Sequence, residues 1–276
     1  MLTGKALMDE ILSYRPRDGE IAFWWLGQIS YIVKVDGIIF AFDPYLNPRG
    51  DRLIPPFFTP QELVGADYVL GSHNHGDHID HTALPGIAAA SPETRFVIPA
   101  MFLDELAQKL GISKDRFIPL DEALCFTDEQ RGVTIRAIAS AHEFLDRDPQ
   151  TGYHPSLGYI VEAGGVRIYH SGDTCKYEGL ETRLKSAGPI DLMIIPINGR
   201  DGRKYRSGII GNMTFNEAVD LAGVVEPRLV CPSHYDMFAG NSADPILFAD
   251  YMEAKYPLQK FWIGGHGVRV SLYADE

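Results

Sequence analysis

The sequence predicts a layered α/β fold, and three observations support this prediction. Short segments rich in β-branched and aromatic residues alternate along the chain with segments of helical spacing. Several apolar segments end in side chains of the types that bind metals, most clearly in the run from Ser72 to Asp80. No linker or shift in composition divides the 276 residues. We therefore expect one domain over residues 1–276, with a short helical extension at its amino terminus.

The first quarter of the chain predicts one helix and three strands. Residues 6–13 show helical spacing of Leu7, Ile11 and Leu12, and a proline soon ends the pattern. The turn dipeptide Asp36-Gly37 lies between two strand-like segments and predicts a hairpin. We expect these first strands at residues 21–26, 31–35 and 38–42. Residues 48–60 are rich in proline and form either a flap over a site or a packed loop.

The rest of the chain continues the alternation of strands and helices. A capping box of Thr214 and Glu217 opens one helix, and Asp244 with Pro245 opens another. We expect further helices at residues 82–90 and 101–110, and strands at residues 95–99, 134–139, 157–163, 166–169, 191–197 and 229–232. A final pair of strands is expected at residues 260–265 and 268–272, with His266 at the turn between them.

Composition and charge narrow the classes of function. The chain is 45% hydrophobic and 22% charged, which is typical of a globular protein. Its formal net charge of −12 argues against a nucleic-acid partner and against an anionic membrane surface. The three cysteines form no CxxC pair, and we expect neither a signal peptide nor a membrane span. These features predict a cytoplasmic protein with a small-molecule substrate.

The run Ser72 to Asp80 follows an apolar segment and carries three imidazoles and a carboxylate within six positions. Neutral imidazoles and carboxylates are ligands that transition metals prefer. In an extended loop His73 and His75 would share a face, whereas Asp77 and His78 follow a glycine and can address a second point. One loop could therefore serve two metal ions. The alternative is a solvated, histidine-rich turn.

The pattern His73-x-His75-x-Asp77-His78 resembles the signature of the metallo-β-lactamase superfamily. That superfamily has three further ligands downstream, and the matching positions here are His142, Asp173 and His234. Residues 23–27, 75–80, 169–173, 232–236 and 243–245 further resemble the branch that contains L-ascorbate-6-phosphate lactonase. The resemblance implies a four-layer αββα sandwich. It also implies one metal ion on His73, His75 and His142, a second on Asp77, His78 and His234, and Asp173 as a bridge.

A site of this kind indicates hydrolysis, because two metal ions activate a shared water and polarise the oxygen under attack. Asp77 would orient the nucleophile as well as bind metal, and His266 or His170 would pass a proton to the leaving group. For His170, a purely structural hydrogen bond is the stronger interpretation. In the superfamily an aspartate at the position of Asp43 commonly stands behind the metal loop, and the alternative here is a simple Asp-Pro turn.

Residues 198–206 form a cationic segment in an acidic protein and follow a predicted strand. We predict that Arg200, Arg203 and Arg206 bind the phosphate of a phosphorylated sugar lactone, as the lactonase resemblance implies. The alternative is a solvated charged loop. A phosphodiesterase and a non-catalytic metal sensor are the competing functions. The donor types suit two divalent ions, either zinc or manganese, with iron also compatible, and self-association into a homo-oligomer is left open.

Overall fold

The computed structural model describes residues 1–122 and 124–273 and contains two β-sheets with helices on the outside. The seven-stranded sheet has the order β13-β1-β2-β3-β4-β5-β6, formed by Arg269–Leu272, Ile21–Trp25, Tyr31–Val35, Ile38–Phe42, Tyr68–Leu70, Arg95–Pro99 and Phe117–Leu120. The six-stranded sheet has the order β12-β11-β10-β9-β8-β7, formed by Leu229–Ser233, Leu192–Pro196, Val166–His170, Leu157–Ala163, Val133–Ala139 and Cys125–Asp128.

Strands β1, β2 and β3 of the first sheet are buried on both faces, and their alternate residues belong to two different cores. In β1, Phe23 and Trp25 pack between the sheets, whereas Ala22 and Trp24 face the helices. Successive side chains of a strand point to opposite faces, so a strand with five buried residues must be covered on both sides. This explains why β1, β2 and β3 read as continuous apolar runs.

Seven helices cover the two sheets in the described part of the chain: α1 (Gly4–Ser13), α2 (Leu84–Ala90), α3 (Leu103–Leu110), α4 (Leu180–Ser186), α5 (Gly202–Arg206), α6 (Phe215–Val225) and α7 (Pro245–Lys255). Helices α1, α2 and α3 pack on the outer face of the first sheet. Helix α6 packs on β11 and on α7 at the second sheet. The layers therefore follow the order helix, sheet, sheet, helix, which confirms the predicted αββα sandwich.

The structure corrects the predicted carboxyl-terminal strand pair. Residues 260–265 form no strand and contribute only an isolated bridge between Phe261 and Val230. Strand β13 pairs instead with β1, where Ile21 lies opposite Leu272. The pairing with β1 buries Leu272 against the inter-sheet core, whereas a hairpin partner containing Gly264 and Gly265 would offer little apolar surface. Residues 202–206, predicted as loop, form the short helix α5.

Candidate metal centre

Four strand ends bring the predicted metal-binding side chains to one edge of the sandwich. His73 follows β4 of the first sheet, and His142, Asp173 and His234 follow β8, β10 and β12 of the second. Backbone hydrogen bonds join these loops across the two sheets: Leu157 N–H donates to Ser72 O at 3.0 Å, and His234 N–H donates to Gln28 O at 2.8 Å. Side chains that are far apart in sequence are thus brought together by the strand ends and by the hydrogen bonds between their loops.

The metal loop itself is a tight turn and not an extended segment. The His75 N–H donates to His73 O at 2.9 Å, and the N–H groups of His78 and Ile79 donate to His75 O at 3.0 and 2.8 Å. The loop is therefore not extended, and the reason expected for the proximity of His73 and His75 is wrong. The two imidazoles nevertheless meet, with His73 Nε2 2.9 Å from His75 Nδ1.

The first ligand set consists of His73, His75 and His142, whose ring nitrogens approach one another closely. His142 Nε2 lies 3.3 Å from His75 Nδ1, and the centres of the His73 and His142 rings are 4.8 Å apart. On its other side His142 Nδ1 lies 3.1 Å from Asn212 Oδ1. Donation of the Nδ1 proton to this oxygen leaves the Nε2 lone pair of His142 free for an ion.

The second ligand set consists of Asp77, His78 and His234. Asp77 Oδ2 lies 3.6 Å from His78 Nε2 and 3.9 Å from His234 Nε2. Asp43 stands behind this set, because its Oδ2 accepts from His78 Nδ1 at 2.6 Å. The same carboxylate accepts from the Ser72 N–H at 2.8 Å and the Ser72 hydroxyl at 2.6 Å. The contact predicted for Asp43 behind the metal loop is confirmed.

Asp173 lies between the two sets. Its Oδ2 is 3.2 Å from His234 Nε2 and 3.5 Å from His78 Nε2, and it is 3.8 Å from His142 Nε2 of the other set. One carboxylate oxygen therefore reaches imidazoles of both sets. The structure brings together all of the side chains predicted as ligands: His73, His75, Asp77, His78, His142, Asp173 and His234.

Several atoms of this cluster are buried and lack hydrogen-bond partners. These include His78 Nε2 and Asp173 Oδ1. Buried polar atoms are nearly always satisfied in folded proteins, so unpartnered atoms on neighbouring residues of one cluster indicate a missing partner. A divalent cation fits, because the donors are imidazole nitrogens and carboxylate oxygens and because Asp43 holds the lone pair of His78 toward the cluster.

The two sets differ in how they hold protons. Burial lowers the pKa of His73 far below its usual value, and burial also lowers the pKa values of His75 and His142. Burial opposes charge on His78 as well, but Asp173, Asp77 and Asp43 outweigh it and raise the pKa of His78 well above its usual value. The pKa of His234 is raised in the same way by Asp173, against the effect of burial.

Several residues around the cluster have backbone conformations that are unfavourable for residues other than glycine. Gln28, Asp43 and His234 have positive φ angles of 56°, 42° and 61°. Non-glycine residues in this region are uncommon and concentrate at functional sites. Gly172, with φ 57°, precedes Asp173, and a Cβ atom there would lie 2.5 Å from Ser72 Cβ. A side chain at this position would push the loop of Asp173 away from the metal loop.

The arginines predicted to bind phosphate have different surroundings. Arg200 makes a two-pronged ion pair with Glu217, with both N···O distances at 2.7 Å, and its Nη1 also donates to Asn212 O at 2.9 Å. These contacts engage Nη1 and Nη2 of Arg200 within the protein, and its predicted contact with a phosphate stays a prediction. Through Asn212, Arg200 supports the residue that contacts His142. Arg203 and Arg206 are exposed on α5, which Asp201 caps.

His266 is joined to the second set through two other residues. It is hydrogen-bonded to Asp236 Oδ2 and packs against Trp25, with ring centres 4.2 Å apart and the ring planes tilted by 30°. Asp236 Oδ1 accepts from the Gln28 N–H at 2.9 Å, and the Gln28 amide in turn donates to Asp77. His170 is fully buried and donates from Nε2 to Ile29 O at 2.8 Å. The structural interpretation of His170 is thus confirmed.

Sequence reasoning missed three residues at this edge, namely Gln28, Asp236 and Asn212. Asn212 lies in a loop without any recognisable motif. Gln28 and Asp236 did carry a signal, since Gln28 directly follows the resembling segment 23–27 and Asp236 is the last residue of the resembling segment 232–236.

Comparisons with known proteins agree with this geometry. Residues 40–235 match the family model described as the beta-lactamase superfamily domain. A UPF0173 protein of Pyrococcus abyssi is 30% identical over 80% of this chain and 86% of its own length. This chain belongs to the UPF0173 family of the beta-lactamase superfamily. Another member, named a UPF0173 metal-dependent hydrolase of Thermococcus onnurineus, is 31% identical over 70% of this chain and 80% of its own length.

Solved structures show the same fold at lower identity. A metallo hydrolase from Ignicoccus hospitalis superposes with a TM-score of 0.70 at 21% identity, covering 92% of this chain and 98% of its own. Among the described residues of this family member, no helix has the length and apolar character needed to cross a bilayer.

Proposed function

We propose that this chain is a metal-dependent hydrolase that binds two divalent ions and acts on a small anionic metabolite, with a phosphosugar lactone as the substrate class. The observation that carries the proposal is the position of Asp173 Oδ2, within 3.8 Å of imidazoles from both ligand sets. Relatives named metal-dependent hydrolases support it. When bound, the two ions would supply an activated water and polarise the substrate oxygen.

The chain's own residues would then perform three tasks. His73, His75 and His142 would hold one ion, Asp77, His78 and His234 would hold the other, and Asp173 would contribute to both positions. Asp77 has a side chain that is 25% exposed and would orient the attacking water. His266 is positioned by Asp236 and transfers a proton to the leaving group.

Substrate binding is assigned to the exposed cations on α5. Arg203 and Arg206 follow β11, whose end lies at the same edge as the metal centre, and they have free access to solvent. Their planar guanidinium groups suit a phosphate or a carboxylate. Arg200 would add its positive charge to this surface, and its bond to Asn212 O also holds Asn212 beside His142.

The test is an assay of protein loaded with Mn²⁺ or with Zn²⁺, with bound metal measured in the same sample. We expect two equivalents of metal and hydrolysis of a phosphorylated sugar lactone, both lost after treatment with a chelator. Hydrolysis of a chromogenic phosphodiester but not of the lactone would assign a phosphodiesterase instead. Two bound ions without turnover on either substrate would indicate a metal sensor.

A further inference from the structure

Gln28 contacts the second ligand set but has no place in the ligand pattern of the superfamily. Its side-chain Nε2 donates to Asp77 Oδ2 at 2.8 Å and lies 3.1 Å from His234 Nε2. The side chain is fully buried, and its Oε1 has no hydrogen-bond partner. A buried acceptor without a partner costs about 1–3 kcal/mol, so this amide oxygen requires an explanation.

The backbone of Gln28 is fixed at three points. Its N–H donates to Asp236 Oδ1 at 2.9 Å, and its carbonyl accepts from the His234 N–H at 2.8 Å and from the Trp25 indole N–H at 3.1 Å. Its φ of 56° is unfavourable for a residue with a long side chain. Strain of this kind persists only where surrounding contacts impose it. The fold therefore holds this one side chain against Asp77 and His234.

The position of the amide group matches that of a metal ligand. Rotation of the glutamine side-chain amide by 180° exchanges the positions of Oε1 and Nε2. Which of the two orientations is present is assigned from the surrounding hydrogen bonds. After this rotation, Oε1 would take the position 2.8 Å from Asp77 Oδ2 and 3.1 Å from His234 Nε2. Two ligand atoms that bind one ion at right angles to each other, with ion–ligand bonds of about 2.1 Å, lie about 3.0 Å apart. The two distances of Gln28 are those of neighbouring ligands around one ion.

We propose that Gln28 is an additional ligand, and that its amide oxygen binds the ion held by Asp77, His78 and His234. This inference rests on the proposed function, because it requires an ion at that set. A neutral oxygen raises the number of donors there above four, which suits Mn²⁺ or Fe²⁺ better than tetrahedral Zn²⁺. The first set offers only imidazoles besides Asp173 and suits Zn²⁺. The two positions therefore differ in the metal that they prefer.

The test compares Gln28→Met and Gln28→Glu with the wild-type protein. Metal is removed with a chelator, the fold of each protein is checked by circular dichroism, and Mn²⁺ alone is titrated by calorimetry. Methionine keeps an unbranched side chain but removes the oxygen, so we expect the affinity of the second position to fall by at least about tenfold and that of the first to stay unchanged. Glutamate keeps an oxygen donor, so we expect Gln28→Glu to bind at least as tightly as the wild type.

Gln28→Glu separates a ligand from a hydrogen-bond donor. If Gln28 served only to donate to Asp77, a carboxylate at position 28 would repel the carboxylate of Asp77, and metal affinity would fall below that of Gln28→Met. That result would overturn the inference. Gln259→Leu is the matched control, because its amide donates to Pro227 O and Lys260 O, away from the metal centre. We expect it to bind metal as the wild type does.

A spectroscopic measurement adds a readout that does not depend on affinity. Co²⁺ with four ligands absorbs visible light more strongly than Co²⁺ with five or six. We expect the second equivalent of Co²⁺ to absorb weakly in the wild type and more strongly in Gln28→Met. Identical spectra would contradict the inference. If the wild type bound no ion at all, the proposed function would fail; two ions bound equally well by the wild type and by Gln28→Met would refute the role of Gln28 alone.

Discussion

The two ligand sets of the candidate metal centre receive residues from the same loop, yet their electrostatic surroundings are opposite. In the set of His73, His75 and His142, burial lowers the pKa values, so the imidazoles are neutral near pH 7. In the other set, carboxylates raise the pKa values of His78 and His234. A neutral imidazole can bind a cation directly, whereas an imidazole with a raised pKa keeps its second proton to a higher pH and must release it before it binds. The difference shows that two neighbouring positions in one centre can bind a metal ion over different pH ranges.

The most severe test of this comparison is Asp173→Asn, because Asp173 Oδ2 is the atom that both sets share. Loss of its charge should weaken metal binding at both positions by more than about a hundredfold, which exceeds the usual effect of a residue behind a ligand. Metal analysis after dialysis checks this. Asp121→Asn is the control, because that buried carboxylate contacts His154 and not the cluster. Loss of only one ion would place Asp173 in a single set.

A smaller and one-sided effect is expected for Asp43→Asn. Asparagine keeps the shape and tolerates a positive φ, but it removes the negative charge beside His78 Nδ1. Affinity of the second position should fall by about 10–100-fold, with the first position unchanged. The converse variant is Asn212→Ala, which removes the partner of His142 Nδ1 and should weaken only the first position. Equal losses at both positions in either variant would contradict the division into two sets.

The last prediction is a difference in pH dependence between the two positions. Because the pKa values of His78 and His234 are raised, these imidazoles keep their second proton to a higher pH than those of the first set, and metal binding must displace it. Affinity at the second position should therefore rise by up to about tenfold per pH unit for each proton released, until the pH exceeds those pKa values. The lowered pKa values of the first set should keep its affinity level near pH 7 and reduce it only in acid.

Calorimetric titrations in two buffers with different heats of ionisation measure the number of protons released. We expect proton release with the second ion and little with the first. Equal proton release at the two positions would show that the carboxylates do not distinguish the sets.

Much of the fold could be predicted from local patterns. The hairpin of β2 and β3 follows from Asp36-Gly37 between apolar segments, and the start of α6 follows from the Thr214 capping box. Strand β7 was missed because its four residues are exposed or half-buried and give a weak apolar signal. The segment 260–265 looked like a strand by composition, but strand pairing is decided by which sheet edge is available, and that edge belongs to β1.

The candidate site was predictable to the extent that its residues lie in motifs. The run His73 to His78 and the strand-end residues His142, Asp173 and His234 follow from motif resemblance, and the structure brings them together. Arg200 shows the limit of this approach. Its charge predicts a substrate contact. The sequence does not reveal that Arg200 also forms an ion pair with Glu217, because Glu217 is 17 positions away and comes close only after folding.

The sequence by itself determined the types of donor, the strand ends that carry them and the acidic character of the protein, because these are properties of composition and local order. Only the tertiary structure decided whether the pKa of each imidazole is lowered or raised, since burial and the distances to Asp43, Asp77 and Asp173 set the direction of the shift. It also decided that Gln28 faces the second set, because a positive φ and the carboxylate of Asp236 fix its direction. Interactions between distant segments control these features, and a linear pattern does not record them.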